Sequence, residues 1–196
     1  MRKLKIIEHI SLDGVIETSG GEGDSDFPYG DWSAPYRTPA GLEKVIAMYG
    51  ERCDLLLGRR TYDLFSSFWP KAPKSPMADR LNAATKYVVT HRPQSLAWGP
   101  FEGVGPDVVD SVRALKAQDG PHLIVTGSST LTSVLIEHAL ADEVILLVDP
   151  VLLGKGKRIF AEGTPARSLT LERSETTPTG IVANFYSAPG PLKNLK

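Results

Sequence analysis

The chain has 196 residues, 41% hydrophobic and 23% charged, an ordinary globular balance that allows one domain with a core of its own. A formal net charge of −1 and a pI near 6.4, with basic residues scattered, exclude the basic stripe of a nucleic-acid or membrane-surface binder. The single cysteine, Cys53, excludes an internal disulfide framework, a CxxC metal or redox motif and the HxE…PCxxC zinc site of nucleoside deaminases. The opening MRKLKIIEHISLDG has only a short, interrupted apolar stretch, unlike a signal peptide, and no run of about 18 apolar residues offers a membrane span. The expectation is a soluble, cytoplasmic protein.

In chain order, Leu4–Leu12 reads as a buried first strand, punctuated by Asp13-Gly14. The following GGEGDSDFPYGDWSAPYRTP is rich in Gly, Pro, Asp and Ser, but Phe27, Tyr29, Trp32 and Tyr36 mark an ordered loop rather than a linker. Thr38-Pro39 opens a helix with an N-cap and a first-turn proline; Leu42, Val45, Ile46 and Tyr49 form its apolar face and Gly50 ends it. Asp54–Gly58 is a short buried strand, Arg59–Phe68 a helix stopped by Trp69-Pro70, and Lys71–Pro76 a loop. Lys86–Thr90 is a strand closed by His91-Arg92-Pro93, and Gln94–Pro106 reads as loop holding at most a short strand. Asp107–Gln118 is an amphipathic helix on Val108, Val109, Val112 and Leu115. A strand over 122–126, a helix over 129–139 and a strand over 143–149 follow. Two last strands, Leu169–Thr176 and Ile181–Ser187, flank Pro178-Thr179-Gly180.

Alternating strands and helices predict an α/β domain over residues 1–190, with a short tail over 191–196. The sheet is expected to be mostly parallel, covered on both faces and finished by an antiparallel C-terminal edge. Ligands of such sheets bind at the carboxyl ends of the strands. Three of those ends carry phosphate-compatible chemistry: Gly58-Arg59-Arg60-Thr61, Thr90-His91-Arg92 and Gly127-Ser128-Ser129-Thr130. Glycine permits close backbone approach, arginine binds phosphate bidentately, and a helix N-terminus offers unpaired N–H groups. Each is unremarkable alone, as a solvated helix start, a turn or an N-cap; their coincidence is what points to an extended nucleotide. No metal-ligand set and no GxGxxG fingerprint is present. His9 reads as a satisfied sheet-face histidine and Trp69 as structural.

Ser11-Leu-Asp-Gly14, Asp54-Leu-Leu-Leu-Gly-Arg-Arg-Thr-Tyr62, Thr126-Gly-Ser-Ser-Thr-Leu131 and Asp149-Pro-Val-Leu-Leu-Gly-Lys-Gly156 together resemble the dihydrofolate reductase-like superfamily. Within it the likeness is to the reductase domain of riboflavin-biosynthesis deaminase/reductases and its stand-alone bacterial relatives, over roughly Lys3–Ser187. The resemblance implies a three-layer, dihydrofolate reductase-like fold with a sheet of about eight strands. It further implies an NADPH-dependent oxidoreductase that passes hydride to a small heterocyclic or sugar-derived substrate, in the manner of a 5-amino-6-(5-phosphoribosylamino)uracil reductase. Gly58, Arg59, Arg60 and Thr61 then match the segment on cofactor phosphates, Thr90, His91 and Arg92 the 2′-phosphate segment, and Gly127, Ser128, Ser129, Thr130 and Leu131 the pyrophosphate loop. Main chain around Asp13, Val15 and Ile16 would face the nicotinamide.

Two departures stand out. Ser128 replaces the second glycine of the loop, where an unusual backbone geometry such as a cis peptide costs serine more. Gly41, in Pro39-Ala40-Gly41-Leu42, stands where a dihydrofolate reductase carries its carboxylate, so that activity is the rival reading. A non-catalytic NADPH sensor is another. Asp13 and Asp31 are the candidate acids, with Phe27 and Trp32 as candidate faces for a flat substrate. A homodimer is expected from the resemblance and the apolar stretch Val144–Leu153.

Overall fold

A computed structural model of the chain describes residues 1–18 and 27–192. The middle of the aromatic loop, residues 19–26, and most of the expected tail lie outside the described residues. Eight strands form one sheet in the order β4-β3-β2-β5-β1-β6-β8-β7: β1 (Leu4–Ile10), β2 (Cys53–Gly58), β3 (Lys86–Val89), β4 (Phe101–Val104), β5 (His122–Val125), β6 (Glu143–Val148), β7 (Arg167–Thr176) and β8 (Val182–Pro191). The first six run parallel, and β8 turns antiparallel against β6 and β7. The mostly parallel sheet with an antiparallel C-terminal edge is as the sequence predicts.

The helices are α1 (Pro39–Tyr49), α2 (Arg59–Phe68), α3 (Pro76–Ala83), α4 (Val108–Ala117) and α5 (Ser129–Glu137). Alternation along β1 divides the core between the sheet's two faces. Leu4, Ile6 and Ile10 join Val112, Leu115, Leu131 and Leu135 from α4 and α5. Ile7 joins Tyr49, Tyr62, Met77 and Leu81 from α1, α2 and α3. The sheet is therefore the middle of three layers.

Some boundaries differ from the sequence reading. β1 stops at Ile10, because Ser11 begins a turn whose hydroxyl accepts from Val15 N (2.9 Å). Helix α3 begins on the last residue of the predicted loop, Pro76, and is not itself predicted; its signal is Ser75-Pro76, with the Ser75 hydroxyl accepting from Ala78 N at 3.2 Å. At eight residues it is too short for its periodicity to stand out. Strand β4 is exposed at its first three residues and shows no apolar run. β8 extends to Pro191, opposite Arg167, so the sheet reaches into the expected tail.

The apolar stretch behind the dimer expectation is spent inside the subunit in its first half. Val144, Ile145, Leu146 and Leu147 are buried in β6, and Leu152 is the exposed apolar residue of the remainder. Among the described residues no helix is long and apolar enough to cross a membrane, and no cluster of three or more His, Cys, Asp or Glu is placed to hold a metal.

Candidate active site

The order of the strands puts the carboxyl ends of β2, β5 and β1 side by side, and a cavity of about 500 Å³ opens there. Gly58, Arg59, Arg60 and Thr61 line it from one side, and Gly127, Ser128, Thr130 and Leu131 from the other. The two loops touch. The Ser128 hydroxyl accepts from Gly58 N and donates to Thr61 Oγ1, both at 2.9 Å. A Cβ on Gly127 would fall 2.9 Å from Thr61 Oγ1, and one on Gly58 would fall 3.1 Å from Ser128 Oγ. Close approach thus forces a shift for any Cβ at Gly127 and crowds one at Gly58. Gly127 and Ser128 adopt successive left-handed conformations, φ 62 and 57; the cis peptide among the described residues joins Gly99 and Pro100 instead.

The serine in the second loop position therefore has a structural use that glycine lacks. It fastens the two strand ends together. Replacing Ser128 by alanine is expected to remove about 1 kcal/mol of stability and to weaken ligands held between the loops, readable by urea denaturation alongside binding titrations.

Helix starts differ in a telling way. α1, α3 and α4 are capped by Thr38, Ser75 and Asp107, whose side chains accept from backbone N–H groups of the first turn. α2 and α5 have no side-chain cap, and both begin at the cavity. Their first-turn amides and dipoles converge on one space, which is the chemistry of a phosphate seat. Arg59 extends this rim to the third predicted segment. Its guanidinium is held by Asp63 (2.9 Å), donates to Ser95 Oγ (2.6 Å) and the Arg92 carbonyl (3.2 Å), and reaches Thr90 Oγ1 at 3.4 Å. Arg60 lies on the cavity wall 3.9 Å from Glu17. Arg59 and Gly127 thus line one cavity, and Thr90 is tied to it only through Arg59. Thr90, His91 and Arg92 stand beyond the cavity wall, the last two exposed.

Not every predicted residue reaches the cavity. Ile16 and Trp32 line it, but Val15 is fully buried and pairs with Arg158 in an isolated bridge, and Ser129 is buried in the first turn of α5. Phe27 packs on Val15, Trp32, Val151 and Leu153 and pins its loop to the body. Asp13 is a clamp. Its carboxylate accepts from the Ser11 hydroxyl (2.7 Å) and from Leu153 N and Gly154 N (3.1 and 2.9 Å), and those hydrogen bonds hold its pKa below the usual carboxylate value. Asp31 forms a two-pronged pair with Arg37 at the surface, 2.7 and 2.6 Å. The candidate acids are committed elsewhere, and neither lines the cavity.

Two titratable residues of β1 line it instead, Glu8 and His9. The Glu8 carboxyl accepts from Gly127 N and from the Thr126 hydroxyl, and loss of solvation pushes its pKa up to about 8. His9 Nδ1 lies 3.0 Å from Asp149 Oδ2, and the other oxygen of Asp149 accepts from Ser33 Oγ at 2.9 Å. Asp149 is fully buried, and its hydrogen bond fixes the Nδ1 side of the imidazole. Leu64, Phe65 and Trp69 supply apolar walls across from Trp32, so Trp69 serves the cavity as well as the core. A second, apolar cavity of about 380 Å³, lined by Tyr36, Leu42, Val45 and Met48, meets the first at His9 and Arg37.

The model of the RibD C-terminal domain matches residues 2–183. The chain belongs to the RibD C-terminal domain family. Two proteins of Bacillus subtilis (strain 168) are similar along their lengths: YyaP is 25% identical over 186 residues, 90% of each chain. YwjB is 28% identical over 195 residues, 95% of this chain and 99% of its own. Among solved structures, a protein assigned to riboflavin biosynthesis from Shewanella sp. PV-4 superposes with a TM-score of 0.71 at 20% identity, covering 96% of this chain and 99% of that one. The diaminohydroxyphosphoribosylaminopyrimidine deaminase/5-amino-6-(5-phosphoribosylamino)uracil reductase of Thermotoga maritima superposes with a TM-score of 0.65 at 16% identity. This RibD domain covers 56% of the Thermotoga chain, and 95% of its own length is matched. These neighbours establish the dihydrofolate reductase-like fold, and the family is reductase-like.

Proposed function

We propose that this RibD domain is an NADPH-dependent reductase of a small, flat, heterocyclic or sugar-derived substrate bearing a C=N or C=O group. The observation that carries the reading is the pair of uncapped helix starts, α2 and α5, facing one cavity with Arg60, Thr61 and Thr130 between them. That donor set fits a dinucleotide: amides and hydroxyls for the diphosphate, with Arg59, Arg60 and the Thr90–Arg92 segment for a further phosphate. When bound, the nicotinamide supplies the hydride. The chain's part is to hold and orient. Trp32 and the Phe65–Trp69 wall offer faces for a planar ring. His9 Nε2 gives a proton to the reduced heteroatom, with the buried Asp149 carboxylate as counter-charge behind the ring.

Dihydrofolate reduction is the weaker reading. Gly41 has no carboxyl, the Gly41 N–H is used by the Thr38 cap, and Glu43 is exposed on the outer side of α1. A sensor that binds NADPH without using it is separated by steady NADPH oxidation with pyrimidine or pterin acceptors. The direct test is a fluorescence titration with NADPH and NADH. The unaltered protein is expected to bind NADPH at least about tenfold tighter, a difference of about 1.4 kcal/mol, and Arg60→Ala with Arg92→Ala to erase the preference. Equal affinity for NADPH and NADH in the unaltered protein removes the 2′-phosphate assignment.

A further inference from the structure

Glu8 is the anomaly of the site. A cavity built from uncapped amides, arginines and hydroxyls attracts anions, yet a carboxyl stands in its wall and takes the Gly127 N–H, the first amide of the loop that leads into α5. As an anion, Glu8 would compete with a phosphate for the same field. Among the described residues no cation pairs with it: Arg37 is bound to Asp31, Arg59 to Asp63, and Arg60 faces Glu17. Lys157 is also on the wall, and no cation is among the groups that shift the Glu8 pKa. From α1 the neighbouring titratable group is Tyr49, whose phenol is pushed above its ordinary pKa by burial and then by Glu8, and which hydrogen-bonds the same Thr126 hydroxyl. From its own strand Glu8 receives the His9 amide.

We propose that Glu8 is a proton-linked ligand residue of the dinucleotide site: as the acid it coexists with the bound anion and donates its O–H, and as the carboxylate it repels that anion. Binding to the ionised protein therefore takes up one proton, which ends on a Glu8 carboxyl oxygen while Gly127 N–H continues to donate to the group. No bond to the ligand is made or broken. The inference rests on the proposed dinucleotide reading, and it concerns the part of the site closest to β1. Because the acid form of Glu8 persists to about pH 8, the site is competent across the neutral range and closes in the alkaline one.

The test is isothermal titration of the full chain with NADP+ at pH 6.5, 7.5 and 9, repeated for Glu8→Gln. Inorganic pyrophosphate serves as a probe without a nicotinamide. The unaltered protein is expected to lose about tenfold in NADP+ affinity between pH 7.5 and 9, as one protonation with this midpoint requires. In buffers of different ionisation enthalpy it takes up close to one proton per ligand at pH 9. Glu8→Gln keeps a flat affinity and takes up none. Pyrophosphate follows the same pattern if the repulsion acts on phosphate. Parallel pH dependence in the two proteins, or a flat profile in the unaltered one, overturns the role of Glu8 while leaving the dinucleotide site intact. Absence of NADP+ binding to both proteins at every pH overturns the dinucleotide reading itself.

Discussion

Replacing Gly127 by valine is expected to abolish dinucleotide binding, with a loss on the order of 100-fold or more, equivalent to about 2.7 kcal/mol. Two independent penalties fall on that position. Its φ of 62° lies in the left-handed region, which costs an L-residue about 1–2 kcal/mol and a β-branched one more. Its Cβ would also sit 2.9 Å from Thr61 Oγ1 and 3.1 Å from Thr61 Cγ2. Thr61 is in the first turn of α2 and is buried, so it has no room to retreat. The β5–α5 loop must therefore move away from the β2–α2 loop, and the two sets of amides cease to face one space. Gly14→Ala supplies the contrast. Its φ is 79°, but no atom lies within 4 Å of the added Cβ, so only the conformational cost of about 1–2 kcal/mol applies. Retention of NADPH affinity within about threefold in Gly127→Val, with folding intact by circular dichroism, would refute the shared phosphate seat.

The strand ends were legible because their chemistry is local. Gly58-Arg59-Arg60-Thr61 and Gly127-Ser128 are each ordinary alone, but the alternation of strands and helices places both on one edge of a parallel sheet, where the structure brings them together around one cavity. Family resemblance added Ile16 and the order of the cofactor segments. What stayed hidden depends on contacts across the chain. Ser128 meets Gly58 across 70 residues, and His9 meets Asp149 across 140. No spacing rule joins them. Glu8 does not stand out in the sequence, and His9 reads there as a satisfied sheet-face histidine, for a different reason. In a strand flanked by Ile6, Ile7 and Ile10 a polar pair reads as sheet decoration, whereas β1 ends just beyond it and its last turn of side chains reaches the cavity rim. Asp13 and Asp31 attract notice in the sequence because they are acidic and sit in loops. The hydrogen bonds that commit them, to Leu153 N and Gly154 N and to Arg37, exist only in the folded chain. A signal was available for Glu8 nonetheless: a carboxyl on the strand face that carries Leu4, Ile6 and Ile10 needs either a partner or a proton.

That need makes Glu8→Gln a stabilising substitution whose size depends on pH. The sign follows from proton counting. Unfolded Glu8 loses its proton near the ordinary value of 4.5, whereas folding raises its pKa to about 8. Between those values the native state binds the extra proton, so the Glu8 contribution to stability falls as pH rises through the interval and is fully lost above about pH 8. Each unit of such a shift is worth about 1.4 kcal/mol, so a penalty of a few kcal/mol is carried at pH 9 and almost none at pH 4. Glutamine keeps an acceptor for Gly127 N–H and the Thr126 hydroxyl and carries no charge, so the variant escapes that penalty. Its advantage over the unaltered protein in urea denaturation is expected to be near zero at pH 4, to grow across pH 5–8 and to level off at a few kcal/mol beyond. Lys86 runs the other way. Burial lowers its amine to about 8, so its contribution favours the folded state increasingly from there up to 10.5. Lys86 opens β3 at the opposite end of the sheet, where its Nζ donates to Asn82 O (2.8 Å) and Gly99 O (3.1 Å). It is present in both proteins and cancels in the difference. A difference curve that is flat in pH would mean that Glu8 is solvated in the native state, and a curve that declines toward pH 9 would mean that a cation reaches its carboxylate after all.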